Sequence, residues 1–359
     1  MTKIKRKLSM IKILKDAVEN RLDIRQLDAV LKKGWDIKDG NHALIITDMG
    51  NGQDTSKNML APSLALEEFT ALKKLGCICK VYVQQPKKTL DTIDEKLINK
   101  IDSLTPESIV IVSVSDSIGM LPDRFKGKTF KAFVLERGLR LIFSRSLSEV
   151  KKEDINTFVQ AICFDTKDYM KRWIEIKKIL DTGKKMTIRT EEGTELSLDI
   201  SDRLSYLNCG DYRYKSTNLP FGEIYIAPVE NKSCGTVVID GTSKTLSGSK
   251  LIKDSFMLKF KNGRLTENTS HELSSTISKI LEKDQDSDKS IEILAELGIG
   301  LNTKAELIGL MLLDEKTYGT AHIAIGANTS FGGKNRCSHH FDQIFKNPKI
   351  WVDEKRLDI

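Results

Sequence analysis

Short apolar runs alternate with longer amphipathic ones in the first half of the chain. The runs at 43–49 (ALIITDM), 79–85 (CKVYVQQ) and 108–115 (SIVIVSVS) are apolar and β-branched, which is typical of strands. The segments at 63–76 and 91–104 are predicted to be helices. Strands that alternate with helices pair in parallel, and near-continuous apolar strands indicate a sheet covered on both faces.

The pattern changes after the segment at 165–185, where a long, charged helix is predicted to end at Gly183. The later elements are a hairpin turning at Glu192-Gly193, two strand segments and an amphipathic helix, at 185–201, 235–240, 255–266 and 270–284. The sequence therefore predicts two domains. The first is an α/β domain with a mostly parallel sheet over residues 1–183, and the second is an α+β domain over residues 184–359.

Composition and charge narrow the class of protein. The net charge of +7 is modest, the basic residues are scattered, and aromatic residues make up only 6% of the chain. These features argue against nucleic acid as a partner. The basic start lacks the apolar core of a secretory signal and instead predicts a first helix with Met10, Ile11, Leu14 and Val18 on one face.

Two further absences in the sequence bear on where the protein works. No run of about 18 apolar residues is present, so we expect no membrane span. None of the six cysteines forms a C-x-x-C pair, and Cys77 and Cys79 are most simply explained as buried or half-buried thiols. Together these features predict a cytoplasmic protein with reduced cysteines.

Candidate metal ligands gather near the C-terminus. Of the five histidines, three lie between Gly319 and Asp342. His322 lies in an apolar predicted strand, where a lone histidine is more often a satisfied core residue than a ligand. His340 and Asp342 stand two residues apart, so on a strand they point to the same side and offer two donors to a divalent cation. His339 would face the other way.

Two glutamates stand in unusually apolar surroundings. Glu223 follows a Pro-Phe-Gly turn in NLPFGEIYIAP, and Glu296 lies in IEILAELGIGLN. A carboxylate in such surroundings is costly unless it is paired or binds a cation. Taken alone, either residue is equally well explained as a surface-facing glutamate on an alternating strand.

Four motifs, LPFGEIYIAP, AELGIGLN, GTAHIAIG and NRCSHHFD, occur in an order and spacing that resemble a known family. It is the metallo-aminopeptidase family typified by aminopeptidase T and aminopeptidase S, in its short leucyl-aminopeptidase-like branch. The resemblance implies a homodimer with an N-terminal α/β domain and a C-terminal domain that carries two metals. The implied ligands are Glu223, Glu296, His322, His340 and Asp342.

The implied reaction is amide hydrolysis of a peptide substrate. Three carboxylates and two neutral imidazoles balance two divalent ions and a bridging hydroxide, and mixed nitrogen and oxygen donors suit zinc, cobalt or manganese. Glu296 is the first candidate for moving the proton to the leaving amine. Glu315, in LLDEKTYGT, is the second candidate, although an exposed loop role suits it better.

The chain departs from this family after His322. The longer enzymes carry a tyrosine there as a transition-state donor, whereas this chain has Thr329, Ser330 and Phe331. The shortened segment also resembles the 2,5-dihydroxypyridine dioxygenases, in which one Fe(II) is held by two histidines and a carboxylate, here His322, His340 and Asp342. A third alternative is a metal-stabilised binding protein without catalysis. Because the chain keeps both Glu223 and Glu296, the sequence favours the hydrolase.

Overall fold

A computed structural model describes most of the chain. The described residues are 11–12, 15, 22, 24, 27–50, 59–125, 127–166, 168–211, 213, 215–283 and 290–359. The helix predicted at the N-terminus lies largely outside them. None of the helices in this described part is both long and apolar enough to cross a membrane.

The helices and strands are numbered along the chain. The helices are α1 (Leu27–Trp35), α2 (Leu60–Lys74), α3 (Glu95–Asp102), α4 (Phe130–Leu135), α5 (Ile155–Ile162), α6 (Met170–Thr182), α7 (His271–Lys283) and α8 (Met311–Asp314). The strands are β1 (His42–Asp48), β2 (Ile78–Gln84), β3 (Ile109–Ser113), β4 (Arg140–Ser144), β5 (Lys185–Arg189), β6 (Glu195–Asp199), β7 (Tyr206–Asn208), β8 (Ser216–Asn218), β9 (Glu223–Ile226), β10 (Cys234–Ile239), β11 (Thr242–Thr245), β12 (Gly248–Leu251), β13 (Phe256–Lys261), β14 (Arg264–Asn268), β15 (Leu294–Gly300), β16 (Thr320–Gly326), β17 (His340–Lys346), β18 (Lys349–Val352) and β19 (Lys355–Arg356).

The first compact unit has the predicted parallel α/β architecture. It comprises residues 1–165 and 210–221, and its sheet runs β2-β1-β3-β4-β8 with every pair parallel. All five residues of β3 are buried, as expected for a strand covered on both faces. The predicted strands and helices are found at their predicted places, with ends that differ by a few residues. For example, α2 begins at Leu60 rather than at residue 63, with Pro62 accommodated in its first turn.

The second compact unit comprises residues 166–209 and 222–359 and is rich in antiparallel sheet. One of its sheets runs β14-β13-β10-β6-β5-β18-β19 and the other runs β12-β11-β17-β16-β15-β9-β7. The α/β plus α+β fold class is therefore confirmed. The sequence placed a boundary at residue 184, whereas contacts group α6 with the second unit and return residues 210–221 to the first, where β8 pairs with β4.

A buried carboxyl in the first unit makes its stability depend on pH. Both carboxyl oxygens of Glu68 lie 2.9 Å from the hydroxyl of Ser113, and the residue is 1% exposed. Burial raises the pKa of Glu68 from 4.5 to about 8, although the hydrogen bond from Ser113 opposes this. Between these two values the folded chain keeps the proton that the unfolded chain releases, so stability falls as pH rises.

Replacing Glu68 with glutamine should remove this fall in stability. The free energy of unfolding of Glu68→Gln should exceed that of wild type by a margin that grows by roughly 1 kcal/mol per pH unit between about pH 5 and pH 8. Urea unfolding of both proteins at about pH 5 and about pH 8 measures this difference. Ser113→Ala provides a second comparison, because losing its hydrogen bond should widen the window. Parallel stability curves for wild type and Glu68→Gln would contradict the assignment.

Candidate metal centre

The candidate centre lies on one face of the sheet that contains β17, β16, β15 and β9. Ala324 of β16 pairs with Glu296 of β15 on one side and with Asp342 of β17 on the other. Residues in register share a face, and so do residues two apart on one strand. His322 and His340 therefore project from the same face as this pair of carboxylates. The H-x-D spacing places His340 and Asp342 on one face of β17, as alternation on a strand predicted, and Glu296 lies on the same face.

A bulge in β15 helps to aim the central carboxylate. The pairing between β15 and β16 shifts register between Leu294 and Glu296. Such bulges bend a strand and redirect a side chain, and they are frequent beside active sites. Glu296 is buried, with Oε1 3.3 Å from Nε2 of His322 and Oε2 3.3 Å from Nε2 of His340. One carboxylate thus lies between two imidazoles.

The backbone fixes the orientation of His340. Its Nδ1 lies 2.7 Å from the carbonyl oxygen of Ala327, so this nitrogen donates a hydrogen bond to the carbonyl. The donated hydrogen bond leaves Nε2 to face the centre, where it lies 3.0 Å from Oδ1 of Asp342. A hydrogen bond from the outer nitrogen is the usual way in which a metal-binding histidine is oriented.

His322 occupies space that a glycine leaves open. A Cβ atom at Gly298 would lie 2.2 Å from both Cε1 and Nε2 of His322. Gly298 pairs with His322 on one side and with Tyr225 of β9 on the other. The glycine is required here by this close approach of a side chain, since its backbone does not adopt a positive φ angle.

The electrostatics of the cluster favour a bound positive charge. Burial alone would lower the pKa of His322, but the hydrogen bond and charge of Glu296, with the charges of Asp342 and Glu223, raise it to about 9. The pKa of His340 is raised in the same way, mainly by Asp342. Burial alone would raise the pKa of Asp342, but His340 and His322 hold it far below its ordinary value. The same arrangement would stabilise a cation.

The donor set fits a divalent transition-metal ion. One ligand atom from each of Glu296, His322 and Asp342 lies within 4.8 Å of the others. The set combines a nitrogen donor with oxygen donors, which suits a transition-metal ion. Nδ1 of His322 is buried and has no hydrogen-bond partner among the described residues. The other ring nitrogen, Nε2, is the one that faces Glu296.

Glu223, the fifth predicted ligand, meets a cation that belongs to the chain itself. Lys316 is fully buried, and its Nζ lies 2.7 Å from Oε1 of Glu223 and in contact with Oε1 of Glu315. Nδ2 of Asn208 also donates to Oε1 of Glu223, at 3.3 Å. In the described part of the chain, both hydrogen bonds to the Glu223 carboxylate are therefore accepted by Oε1. Lys316 was not among the residues predicted from the sequence, and the structure places Glu315 beside it rather than in an exposed loop.

A family of metal-dependent peptidases, described as thermophilic metalloprotease (M29), matches the chain over residues 142–347. The chain belongs to the M29 metalloprotease family. Membership makes it a metallopeptidase, which is a hydrolase, and implies a divalent metal ion. The cluster around Glu296 falls within the matched range.

Two solved structures share the M29 chain's fold. The 2,5-dihydroxypyridine dioxygenase from Pseudomonas putida KT2440 matches with a TM-score of 0.66 and 16% identity, covering 93% of this chain and 94% of that one. Wild-type AmpT from Thermus thermophilus matches with a TM-score of 0.55 and 17% identity, covering 91% of this chain and 95% of that one. No match was found among curated protein sequences. At these identities the likenesses show a shared fold.

Aromatic side chains flank the centre of this M29 chain, near the segment after His322 that has no tyrosine. Thr329–Phe331 forms a 3-10 turn, and Phe331 packs edge-on against His340 with ring centroids 5.9 Å apart. Phe331 also packs on Tyr225 at 5.5 Å, and Tyr225 stacks on Tyr206 at 5.7 Å. We call Tyr206, Tyr225 and Phe331 the aromatic cluster. The sequence signal for Tyr225 is its place two residues after Glu223 on a strand.

The remaining histidine of the HH pair lies apart from this arrangement. The ring of His339 stacks on Phe341 with centroids 5.6 Å apart, and its Nδ1 lies 2.8 Å from the hydroxyl of Ser338. Ser330 is exposed on the 3-10 turn. Neither residue belongs to the group of donors around Glu296.

Proposed function

We propose that the chain is an aminopeptidase that removes N-terminal residues from peptides, using water activated by two divalent ions. Zinc, cobalt and manganese suit the mixed donors. The ions would be held by Glu223, Glu296, His322, His340 and Asp342. The observation that carries the proposal is the placement of His322, His340 and Asp342 around Glu296 on one sheet face, with contacts of 3.0–3.3 Å within this group.

The charges in the site are consistent with two ions despite the buried lysine. Lys316 contacts Glu315 as well as Glu223, so the lysine and Glu315 together add no net charge. The three remaining carboxylates, two divalent ions and a hydroxide then balance. Oε2 of Glu223 remains available to an ion, because the hydrogen bonds to this residue in the described part of the chain end on Oε1.

The residues of the chain divide the work of hydrolysis. When bound, the ions would polarise the peptide carbonyl and acidify the attacking water. His340 is held in place by the Ala327 carbonyl. Glu296 is our first candidate for carrying the proton to the leaving amine, because it lies centrally among the donors. Glu315 is second, since it already pairs with Lys316.

A second candidate function is a ring-cleaving dioxygenase with one Fe(II) on His322, His340 and Asp342. The specific observation in its favour is the Glu223–Lys316 ion pair, because a glutamate that already has a buried cation needs no second metal. Exposed Ser330 would then be available to a substrate hydroxyl. Family membership and the position of Glu296 among the donors favour the peptidase.

Metal content and peptide turnover test the proposed function. Protein purified without chelator and reloaded with zinc, cobalt, manganese or ferrous iron should hold about two ions per chain, as two-metal hydrolases do. Removing either carboxylate, in Glu223→Ala or Glu296→Ala, should lower that number, and the wild type should release N-terminal residues from peptides. Chelation should abolish turnover, and reloading should restore it.

Iron alone would point to the second candidate. A single ion that is indifferent to both glutamate substitutions, with no peptide turnover under any metal, would overturn the peptidase proposal. Oxygen consumption with dihydroxylated pyridines would then be measured, and turnover would establish the dioxygenase.

A further inference from the structure

Tyr225 lies beside the centre and has no role in the function proposed so far. It stands on β9 two residues after Glu223, so both side chains leave the same face of the sheet. Its register partner is Gly298, whose other partner is His322. Gly298 therefore lies between Tyr225 and His322 on adjacent strands. Because Gly298 has no side chain, no bulky residue separates these two side chains.

Ring contacts place Tyr225 close to the metal donors. Its ring lies 5.5 Å from Phe331, and Phe331 lies 5.9 Å from His340, both edge-on. A tyrosine hydroxyl ordinarily has a pKa of about 10, so it is protonated at neutral pH and can donate a hydrogen bond.

A hydrogen-bond donor at the carbonyl oxygen would add to the polarisation that the bound ions supply. Negative charge develops on that oxygen in the transition state, and one preorganised hydrogen bond there is worth roughly 100- to 1000-fold in rate. The segment after His322 offers no tyrosine for this purpose, and Phe331 of that segment packs edge-on against His340. The carboxylates around the centre can only accept hydrogen bonds when ionised.

We propose that the Tyr225 hydroxyl donates a hydrogen bond to the oxyanion of the tetrahedral transition state. Water oxygen bonds to the carbonyl carbon, and the π electron pair moves to the carbonyl oxygen. That oxygen accepts the hydrogen bond while the proton stays on Tyr225. When the C=O bond re-forms and the C–N bond breaks, the leaving amine takes the proton that the water lost. This role rests on the proposed peptidase function.

Tyr206 is a matched control for Tyr225. It carries the same side chain, stacks on Tyr225 with ring centroids 5.7 Å apart, and lies on the adjacent strand β7 in register with it. Its hydroxyl lies beside Gly332, 3.9 Å from the place where a Cβ of that glycine would stand. If the aromatic cluster matters only for packing, removing either hydroxyl should have the same effect.

The test compares Tyr225→Phe with Tyr206→Phe in the metal-loaded, full-length protein. With leucine p-nitroanilide as substrate, Tyr225→Phe should lower kcat by about 100- to 1000-fold, with KM and metal content unchanged. Tyr206→Phe should keep kcat within about threefold of wild type, as a change outside the reacting atoms would. Leucine phosphonic acid, a tetrahedral mimic, should bind Tyr225→Phe at least about 100-fold more weakly than wild type, while free leucine binds both equally.

Each outcome separates the two proposals. Unchanged kcat and phosphonic acid affinity in Tyr225→Phe, or equal losses in both variants, would overturn the donor role and leave the peptidase intact. A wild-type protein that neither cleaves the anilide nor binds the phosphonic acid under any metal would overturn the peptidase, and the donor role with it. That failure shows in the wild type before any variant is made.

Discussion

Gly298→Ala should leave the chain folded but without metal, and peptidase activity should fall at least about 1000-fold. The added Cβ would lie 2.2 Å from the His322 ring, so the imidazole must move by about 1 Å or more. His322 is buried in a strand that is paired on both sides, so its backbone cannot yield easily. Metal content and peptide turnover measure the result, and urea unfolding should show a cost of about 1 to 3 kcal/mol from overpacking.

Two further variants distinguish the clash between the new Cβ and the His322 ring from a general loss of stability in the sheet. Ile299→Val alters the adjacent residue of β15, whose side chain leaves the opposite face, and should retain metal while costing about 0.5 to 1.5 kcal/mol. Gly298→Ala combined with His322→Ala should recover stability but not metal, since the ring that causes the clash is gone. Wild-type metal content in Gly298→Ala would show that His322 is not a ligand.

Lys316→Met should destabilise the protein by about 3 to 5 kcal/mol, because it leaves buried carboxylates without their cation. Lys316 is 0% exposed in its side chain, and its partners Glu223 and Glu315 are 6% and 15% exposed. Burial already raises the pKa of Glu223 to about 7, even though Lys316 opposes this. Without the lysine the carboxyl should hold its proton to higher pH, so the loss should be smaller at pH 6 than at pH 9. Urea unfolding in chelator at both pH values measures it.

A second substitution tests whether Glu223 is the carboxylate that destabilises Lys316→Met. Adding Glu223→Gln to Lys316→Met removes one of the two unpaired charges and should recover part of the lost stability. Divalent metal should also stabilise Lys316→Met more than wild type if Glu223 is a ligand, because the ion replaces the missing charge. Equal stability of Lys316→Met and wild type in chelator would contradict the buried ion pair.

Only part of the predicted ligand set came from rules that act within one segment. Alternation on a strand placed His340 and Asp342 on one side, a signal that depends on residues two apart and that a single sequence displays. The same holds for the parallel half of the fold, where each strand is an apolar run of ordinary length. Apolar surroundings left Glu296 and Glu223 open to a surface role, and they were predicted as ligands, with His322, through the family resemblance.

The features that were missed depend on segments far apart in the chain. Lys316 stands in LLDEKTYGT, which looks like a charged surface loop, and only the fold shows that it meets Glu223. The space that Gly298 leaves for His322 exists only because β15 and β16 pair in one particular register. The strand β8 is three residues long, too short to show a period, and its partner β4 lies far earlier.

The return of residues 210–221 to the first unit constrains how the protein can be made on the ribosome. Domains generally fold as units during synthesis, N-terminal first, and here the parallel sheet lacks its last strand until residues 216–218 have emerged. Meanwhile β4 has one unpaired side, an open edge able to pair with other chains. Residues 166–209, which belong to the second unit, are translated during this interval. The nascent chain therefore begins its second unit before it can close the first.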